Sequence, residues 1–254
     1  MPIISAIHAT PVKSLGLTSM GGAQISHRGI AGDRRFLLLD SEGRVVTQRQ
    51  LGILTQVSAE YSDEVDSLKM TFPDGSVVRG HPELGPQTAT VLWGRVVSGV
   101  EIVGDWSKAL SEFCGVELRL MKSKNPGESF DEYPVSLISE ATIEYLSRLT
   151  RGEKEFEAER FRPTLLISGC EPHEEDSWLG KGLLIGDRLR LRLISRDPRC
   201  AITTLDPKTG ERDFDTLRLI LSYRPSRRAA YLGVYGIVEA SGSVAVGDEI
   251  TLSQ

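Results

Sequence analysis

The residues best suited to chemistry lie in one polar turn in the C-terminal third of the chain. Residues 197–210 read D-P-R-C-A-I-T-T-L-D-P-K-T-G, which places Cys200 directly after Arg199. A thiol beside a guanidinium is expected to ionise readily, and a thiolate can attack a substrate, carry sulfur or bind a soft metal. The sequence therefore predicts that Cys200 is the reactive residue of this protein.

The other two cysteines have ordinary structural explanations. Cys114 follows the apolar face of a short predicted helix, and Cys170 comes near the end of a predicted buried strand. Three widely spaced cysteines without a C-x-x-C pair favour a reducing, cytoplasmic location over a disulfide framework. One alternative is a zinc site formed by Cys170 and His173 with Glu174 and Glu175, although a structural site needs a fuller set of spaced ligands.

Size and charge restrict the possible partners. The chain has 254 residues, enough for one large domain or two modest ones, and its net charge of -5 argues against nucleic-acid binding. No apolar run is long enough to span a membrane, and the first residues lack the features of a secretion signal. Pairs of arginines nevertheless recur along the chain, so we expect a local positive pocket for a small anionic ligand.

The pattern of short apolar runs predicts a fold that is mostly β with some α. Turns at residues 40–43 and 73–75 predict two hairpins in the first hundred residues. Helices are expected at 106–113, capped by Asp105 and ended by Gly115, after Ser139, and at 217–223. The polar stretch 122–133 resembles a linker, so we predict one domain at 1–120 and a second at 121–254.

Several motifs, taken in order, resemble the molybdenum cofactor sulfurase C-terminal (MOSC) family, particularly its two-domain amidoxime-reducing members. The resemblance covers essentially the whole chain, and its matching stretches are P-V-K-S at 11–14, G-D-R-R-F at 32–36, S-L-I-S-E-A at 136–141, R-F-R-P-T-L-L-I-S-G-C at 160–170, E-D-S-W at 175–178, P-R-C-A-I-T-T-L-D-P-K-T-G at 198–210, G-V-Y-G at 233–236 and V-G-D at 246–248. It implies a β-barrel-like N-terminal MOSC domain followed by a β-barrel-type MOSC domain with peripheral helices.

The resemblance also implies a cofactor and the residues that bind it. Members of the family bind molybdenum on a molybdopterin through one cysteine, and the matching position is Cys200. The positions that match the family's other cofactor contacts are Lys13, Ser14, Arg34, Arg162, Thr164, Arg199 and Tyr235. Because these positions come from both halves of the chain, we expect the cofactor to lie where the two domains meet.

Asp206 has two possible roles. It begins a turn sequence, D-P-K-T-G, in which an aspartate commonly accepts backbone hydrogen bonds, and this structural role is the one that the turn favours. The alternative is a catalytic role for Asp206 as a proton donor near the metal.

The resemblance implies a molybdenum-dependent oxidoreductase that reduces N-hydroxylated small molecules, such as amidoximes, hydroxamates and N-hydroxylated bases, by oxygen transfer to the metal. Electrons would come from a separate flavin, iron-sulfur or haem protein, because the sequence offers no cysteine cluster for an iron-sulfur centre. Pyridoxal phosphate is not expected. The alternative function is a non-redox one, either binding and delivery of the cofactor or sulfur transfer on Cys200.

Overall fold

The computed structural model describes residues 1–253 and has 42% of the chain in strands and 18% in helices. The predicted class, mostly β with some α, is therefore confirmed. The strands are β1 Ile3–Ala9, β2 Thr18–Met20, β3 Gly22–Ser26, β4 Gly29–Ile30, β5 Phe36–Leu39, β6 Val45–Val46, β7 Ser58–Ser62, β8 Ser67–Thr71, β9 Val77–Gly80, β10 Glu83–Leu92, β11 Arg95–Val103, β12 Arg119–Ser123, β13 Val135–Ser139, β14 Leu165–Ser168, β15 Gly182–Ile185, β16 Leu189–Pro198, β17 Tyr231–Ala240, β18 Gly242–Ala245 and β19 Ile250–Ser253. The α-helices are α1 Asp105–Cys114, α2 Glu140–Leu149 and α3 Thr216–Tyr223.

The largest sheet contains strands from both ends of the chain. Its eight strands lie in the order β19-β15-β16-β17-β13-β14-β1-β2. β1 is antiparallel to β14, and β3 pairs with β18 in a separate three-stranded sheet. The first thirty residues therefore contribute strands to sheets that also contain strands from the second half of the chain. The division of the chain at residue 120 remains a prediction.

Two smaller sheets account for most of residues 36–123. One has the order β10-β11-β12-β5-β6, and the other has the order β7-β8-β9. Both predicted hairpins are confirmed, since β5 pairs with β6 and β8 pairs with β9. In the first hairpin the Asp40 carboxylate accepts the backbone N–H groups of Glu42 and Arg44, which explains why an aspartate begins that turn.

The helices follow the sequence pattern, with one correction at the start of α1. Asp105 does not cap this helix: it is the first helical residue, and Gly104 precedes it with φ 131° and no side-chain cap. A side chain at Gly104 would approach the Trp106 ring, because an added Cβ would lie 3.0 Å from it. Gly115 ends α1 with φ 68°, as predicted, and Ser139 Oγ accepts the Thr142 N–H at the start of α2.

Separate apolar clusters lie beneath the sheets. One packs the large sheet around Trp178 and the strand residues Ile4 and Ile7, and another packs the two smaller sheets around Phe36 and Trp106. A third lies between α2, α3 and the strands that they cover. Among residues 1–253, no helix has the combination of length and apolar character needed to cross a bilayer.

Because β1 supplies core residues to the large sheet, we expect Ile7→Ala to destabilise the protein by roughly 2–5 kcal/mol. Ile7 is fully buried and pairs with Leu165 of β14. Urea unfolding monitored by circular dichroism would measure the loss. Val103→Ala, at an exposed position on β11, is the control and should change stability by less than about 0.5 kcal/mol. An equal effect of both substitutions would show that β1 is peripheral.

Candidate functional site

A cleft lined by residues from both halves of the chain brings together all but one of the predicted site residues. It encloses about 910 Å³ of space free of protein atoms, a volume that includes open solvent at its mouth. The predicted residues that line it are Lys13, Ser14, Arg34, Arg162, Thr164, Arg199, Cys200 and Tyr235. The residue that does not line this cleft is Asp206.

Asp206 has the geometry of a structural turn residue. Its carboxylate accepts the backbone N–H groups of Lys208 and Thr209 at 2.8 and 3.0 Å, and the Lys154 ammonium lies 3.6 Å away. These hydrogen bonds lower the pKa of Asp206 in spite of partial burial, so the group is ionised at neutral pH. A carboxylate in this state has no proton to donate. The structure therefore favours the structural role of Asp206 in the turn over the catalytic one.

Unusual backbone conformations direct several of the cleft residues. Ser14, Arg34 and Arg162 all have positive φ, at 78°, 49° and 50°. Such angles are uncommon outside glycine and cost of the order of 1 kcal/mol or more each. Strain at three positions around one cleft indicates that the fold maintains these side-chain directions for a purpose other than stability.

Carboxylates pair with most, but not all, of the cations in the cleft. Lys13 Nζ lies 2.9 Å from Asp131 Oδ1, and Arg199 Nη1 lies 2.9 Å from Asp197 Oδ2. The third pair joins Arg34 to its neighbour Asp33.

Arg162 differs from these three cations. Within residues 1–253 no carboxylate oxygen lies within 4.0 Å of its guanidinium, which instead donates to the Leu15 carbonyl at 2.8 Å. Burial, reinforced by the nearby charge of Arg34, lowers the pKa of Arg162 to about 10. Arg162 remains charged at neutral pH, so the cleft has an excess positive charge that an anionic ligand would balance.

Cys200 lies at the start of a short 3-10 helix, Ala201–Thr204, and its side chain is half-buried at the wall of the cleft. Arg160 holds this loop in place through hydrogen bonds. Its guanidinium donates to the carbonyls of Thr203 and Leu205 and forms two hydrogen bonds, of 2.8 and 2.7 Å, with the Asp213 carboxylate. The thiol is therefore held on a loop that the hydrogen bonds of Arg160 keep in place.

Arg199 is fixed by backbone acceptors. Its Nε donates to the Leu232 carbonyl and its Nη1 to the Phe161 carbonyl, both at 2.7 Å. Nη2 is buried and has no hydrogen-bond partner among residues 1–253. Gly233 makes room for this group, since an added Cβ would lie 3.0 Å from Nη2 and 2.7 Å from the Leu137 carbonyl oxygen. The free donor on Nη2 is a second sign that the cleft is built for a polar ligand.

Two functional candidates were not predicted from the sequence. Asp197 is almost fully buried in the cleft wall, and burial raises its pKa to about 6 against the opposing charge of Arg199. Arg160, which also lines the cleft, supports the cysteine loop through its hydrogen bonds to the Thr203 and Leu205 carbonyls. The sequence contained a signal for Asp197, because it begins the same turn as Cys200, but its burial depends on strand β17 and cannot be inferred locally.

The zinc alternative has no support in the structure. Glu175 is fully buried and accepts hydrogen bonds from the Ser139 and Thr142 hydroxyls at 3.1 and 2.8 Å. Burial raises the pKa of the Cys170 thiol to about 11, the opposite of what a zinc ligand requires. Within the described part of the chain no three His, Cys, Asp or Glu side chains are grouped to hold a metal ion.

Family models of known proteins match both halves of the chain. The family model of the MOSC domain matches residues 104–251, and that of the MOSC N-terminal beta barrel domain matches residues 1–117. The chain belongs to the MOSC family. It is 31% identical to mitochondrial amidoxime-reducing component 1 of Mus musculus and 30% identical to mitochondrial amidoxime reducing component 2 of Bos taurus. These alignments cover 95% and 97% of this chain and 79% and 82% of the two relatives.

A more distant relative has a different name. The chain is 23% identical to the molybdenum cofactor sulfurase of Caenorhabditis briggsae over 92% of its own length, but this covers only 33% of that longer protein. The name of this relative refers to the molybdenum cofactor. The donors in the cleft fit such a group, because an excess cation and an unpartnered Arg199 Nη2 suit a phosphate and a pterin, and a thiol suits a soft metal.

The raised pKa of Asp197 gives a pH prediction for the cofactor-free MOSC protein. Between about pH 4 and pH 6 the folded state holds a proton on Asp197 that the unfolded chain releases, so this residue's contribution to stability falls as the pH rises through that window. We expect the free energy of unfolding of the unmodified protein, relative to Asp197→Asn, to decrease by about 2 kcal/mol across the window. Urea titrations at several pH values would measure this difference. A constant difference would contradict the raised pKa.

Proposed function

We propose that this MOSC protein is a molybdenum-cofactor-dependent oxidoreductase that removes oxygen from N-hydroxylated small molecules. The observation that carries the proposal is the location of Cys200 at a cleft whose cations exceed their carboxylate partners. The names of the two relatives at about 30% identity point to the same reaction class.

The proposed roles follow the chemistry of each side chain. Arg162, Arg34 and Lys13 would hold the terminal phosphate of the cofactor, since a phosphate offers several acceptor oxygens to converging cations. Thr164, whose backbone N–H is bonded to Ser136 Oγ at 3.0 Å, and Tyr235 would contact the pterin. Ser14 would donate from the first half of the chain. The Arg199 guanidinium would contribute its free Nη2 donor, and the sulfur of Cys200 would bind the metal.

The bound cofactor would supply the two-electron reduction that removes the oxygen atom. Release of the oxygen as water also consumes two protons, and the protein would relay these one at a time from solvent. We assign this role to Asp197 rather than to Asp206, because a carboxyl with a pKa of about 6 in the cleft wall is partly protonated at neutral pH and can exchange its proton. A separate flavin, iron-sulfur or haem protein would return the electrons.

The thiol assignment predicts the behaviour of Cys200→Ala. We expect reduction of benzamidoxime with an artificial electron donor to be abolished, while the unfolding temperature stays within a few degrees, because the cations still bind the phosphate. The matched control is Cys114→Ala, a half-buried cysteine outside the cleft, which should retain activity. Equal activity of both variants would refute the role of Cys200.

The excess charge predicts the behaviour of Arg162→Met. This variant should copurify with at least about tenfold less pterin, whereas its cofactor-free form should unfold at a temperature close to that of the unmodified protein, because the lost cation has no carboxylate partner. Pterin fluorescence after acid release and thermal unfolding would measure the two effects. Arg228→Met, at an exposed position outside the cleft, should retain the pterin. Full pterin content in Arg162→Met would contradict the phosphate assignment.

The similarity to molybdenum cofactor sulfurase favours one second candidate, binding and delivery of the cofactor or persulfide transfer on Cys200. Purified protein with stoichiometric molybdenum and turnover of benzamidoxime would favour the oxidoreductase. Bound pterin without turnover of any N-hydroxylated compound would favour the second candidate.

A further inference from the structure

The tip of the β10–β11 hairpin carries a residue that its turn does not favour. Trp93 and Gly94 both have positive φ, 51° and 80°, which is the conformation of a two-residue type I′ turn. Asn-Gly is the usual sequence there, because a bulky side chain is strained at the first position. Trp93 is also 46% exposed, whereas Trp106 and Trp178 are 5% and 1% exposed. The fold therefore retains a strained and exposed indole at the mouth of the cleft that contains Cys200.

Neighbouring side chains hold this indole in place. The guanidinium carbon of Arg49 lies 4.2 Å from the ring centroid, a cation–π contact. The indole N–H donates to Asp131 Oδ1 at 3.1 Å, and the same oxygen accepts from Lys13 Nζ at 2.9 Å. Trp93 is thus linked through Asp131 to a cation of the proposed cofactor site, and its ring is preorganised before any ligand arrives.

We propose that Trp93 is a specificity-determining residue, the aromatic surface on which planar, conjugated substrates stack at the mouth of the cleft. The proposal rests on the proposed function and names its preferred substrate class: N-hydroxylated groups conjugated to an aromatic ring, as in aromatic amidoximes and N-hydroxylated bases. Small aliphatic hydroxamates gain little from such a surface.

The strain at Trp93 and the contacts of its ring together indicate a binding role for this residue. Exposing a large apolar ring and holding it at positive φ both reduce stability, so neither the core nor the turn accounts for tryptophan at this position. A rigid indole at a cleft gives stacking energy at low entropic cost, since few side-chain torsions must be fixed. Arg49 and Asp131 supply the rigidity, and the exposed surface of the ring supplies the contact.

The turn itself offers a variant that removes the ring without damaging the fold. Trp93→Asn restores the preferred Asn-Gly turn, so its unfolding temperature should equal or exceed that of the unmodified protein. In the cofactor-loaded protein we expect kcat/KM for benzamidoxime, relative to that for acetohydroxamic acid, to fall about tenfold, chiefly through KM. Trp93→Phe retains a ring and should preserve most of the ratio. Val96→Asn, an exposed position on the same hairpin outside the cleft, is the matched control and should leave the ratio unchanged.

A binding measurement separates this proposal from the oxidoreductase assignment. Trp93 is the exposed one of the three tryptophans, so benzamidoxime stacked on it should quench the intrinsic fluorescence of the unmodified protein and not that of Trp93→Asn. Quenching without turnover would support the stacking role of Trp93 and contradict the proposed reaction. Turnover with an unchanged substrate ratio in Trp93→Asn, or the same quenching in both proteins, would overturn the role of Trp93.

Discussion

The feature on which the rest of the site depends is a cluster of cations that outnumber their carboxylate partners. Lys13, Arg34 and Arg199 each have an acidic partner. Within the part of the chain that the structure describes, Arg162 instead donates to a backbone carbonyl alone, and burial and Arg34 lower its pKa. Partly buried cations without counterions are unfavourable in an empty protein. The arrangement becomes favourable when an anion enters, and this links the strained backbone at the cleft to ligand binding.

The path of the chain explains how the cluster is assembled. β1 belongs to the large sheet through its pairing with β14, and the chain then passes directly into the segment that carries Lys13 and Ser14. Arg162 and Thr164 immediately precede β14, so two groups of cleft residues are positioned by one pair of adjacent strands. The hydrogen bond from Arg162 to the Leu15 carbonyl closes the same junction. Core packing beneath this sheet therefore stabilises the binding geometry as well as the fold.

Much of this organisation can be predicted from the sequence, because the strongest signals are local. The hairpin turns, the Ser139 cap, the Gly115 end and the charged turn around Cys200 depend on short-range chemistry, and the structure contains each of them. The expectation that cations distant in sequence lie in one site came from the resemblance to the MOSC family. In contrast, the burial of Asp197 depends on packing that no local pattern encodes.

Two further features could not be predicted for related reasons. The pairing of β1 with β14 joins segments more than 150 residues apart, and no local pattern in the sequence encodes such a pairing. Trp93 occupies a position where the turn favours asparagine, and its contacts with Arg49 and Asp131 come from separate loops. Rules that predict local structure from the sequence fail most often at residues whose type is determined by function.

The most direct test of the account is the number of sulfur atoms bound to molybdenum in the cofactor-loaded protein. X-ray absorption at the molybdenum edge should detect the two dithiolene sulfurs of the cofactor and one further sulfur from Cys200, and Cys200→Ser should lose that one sulfur while the metal remains bound. The same sulfur count in both proteins would show that Cys200 is not the ligand and would contradict the account.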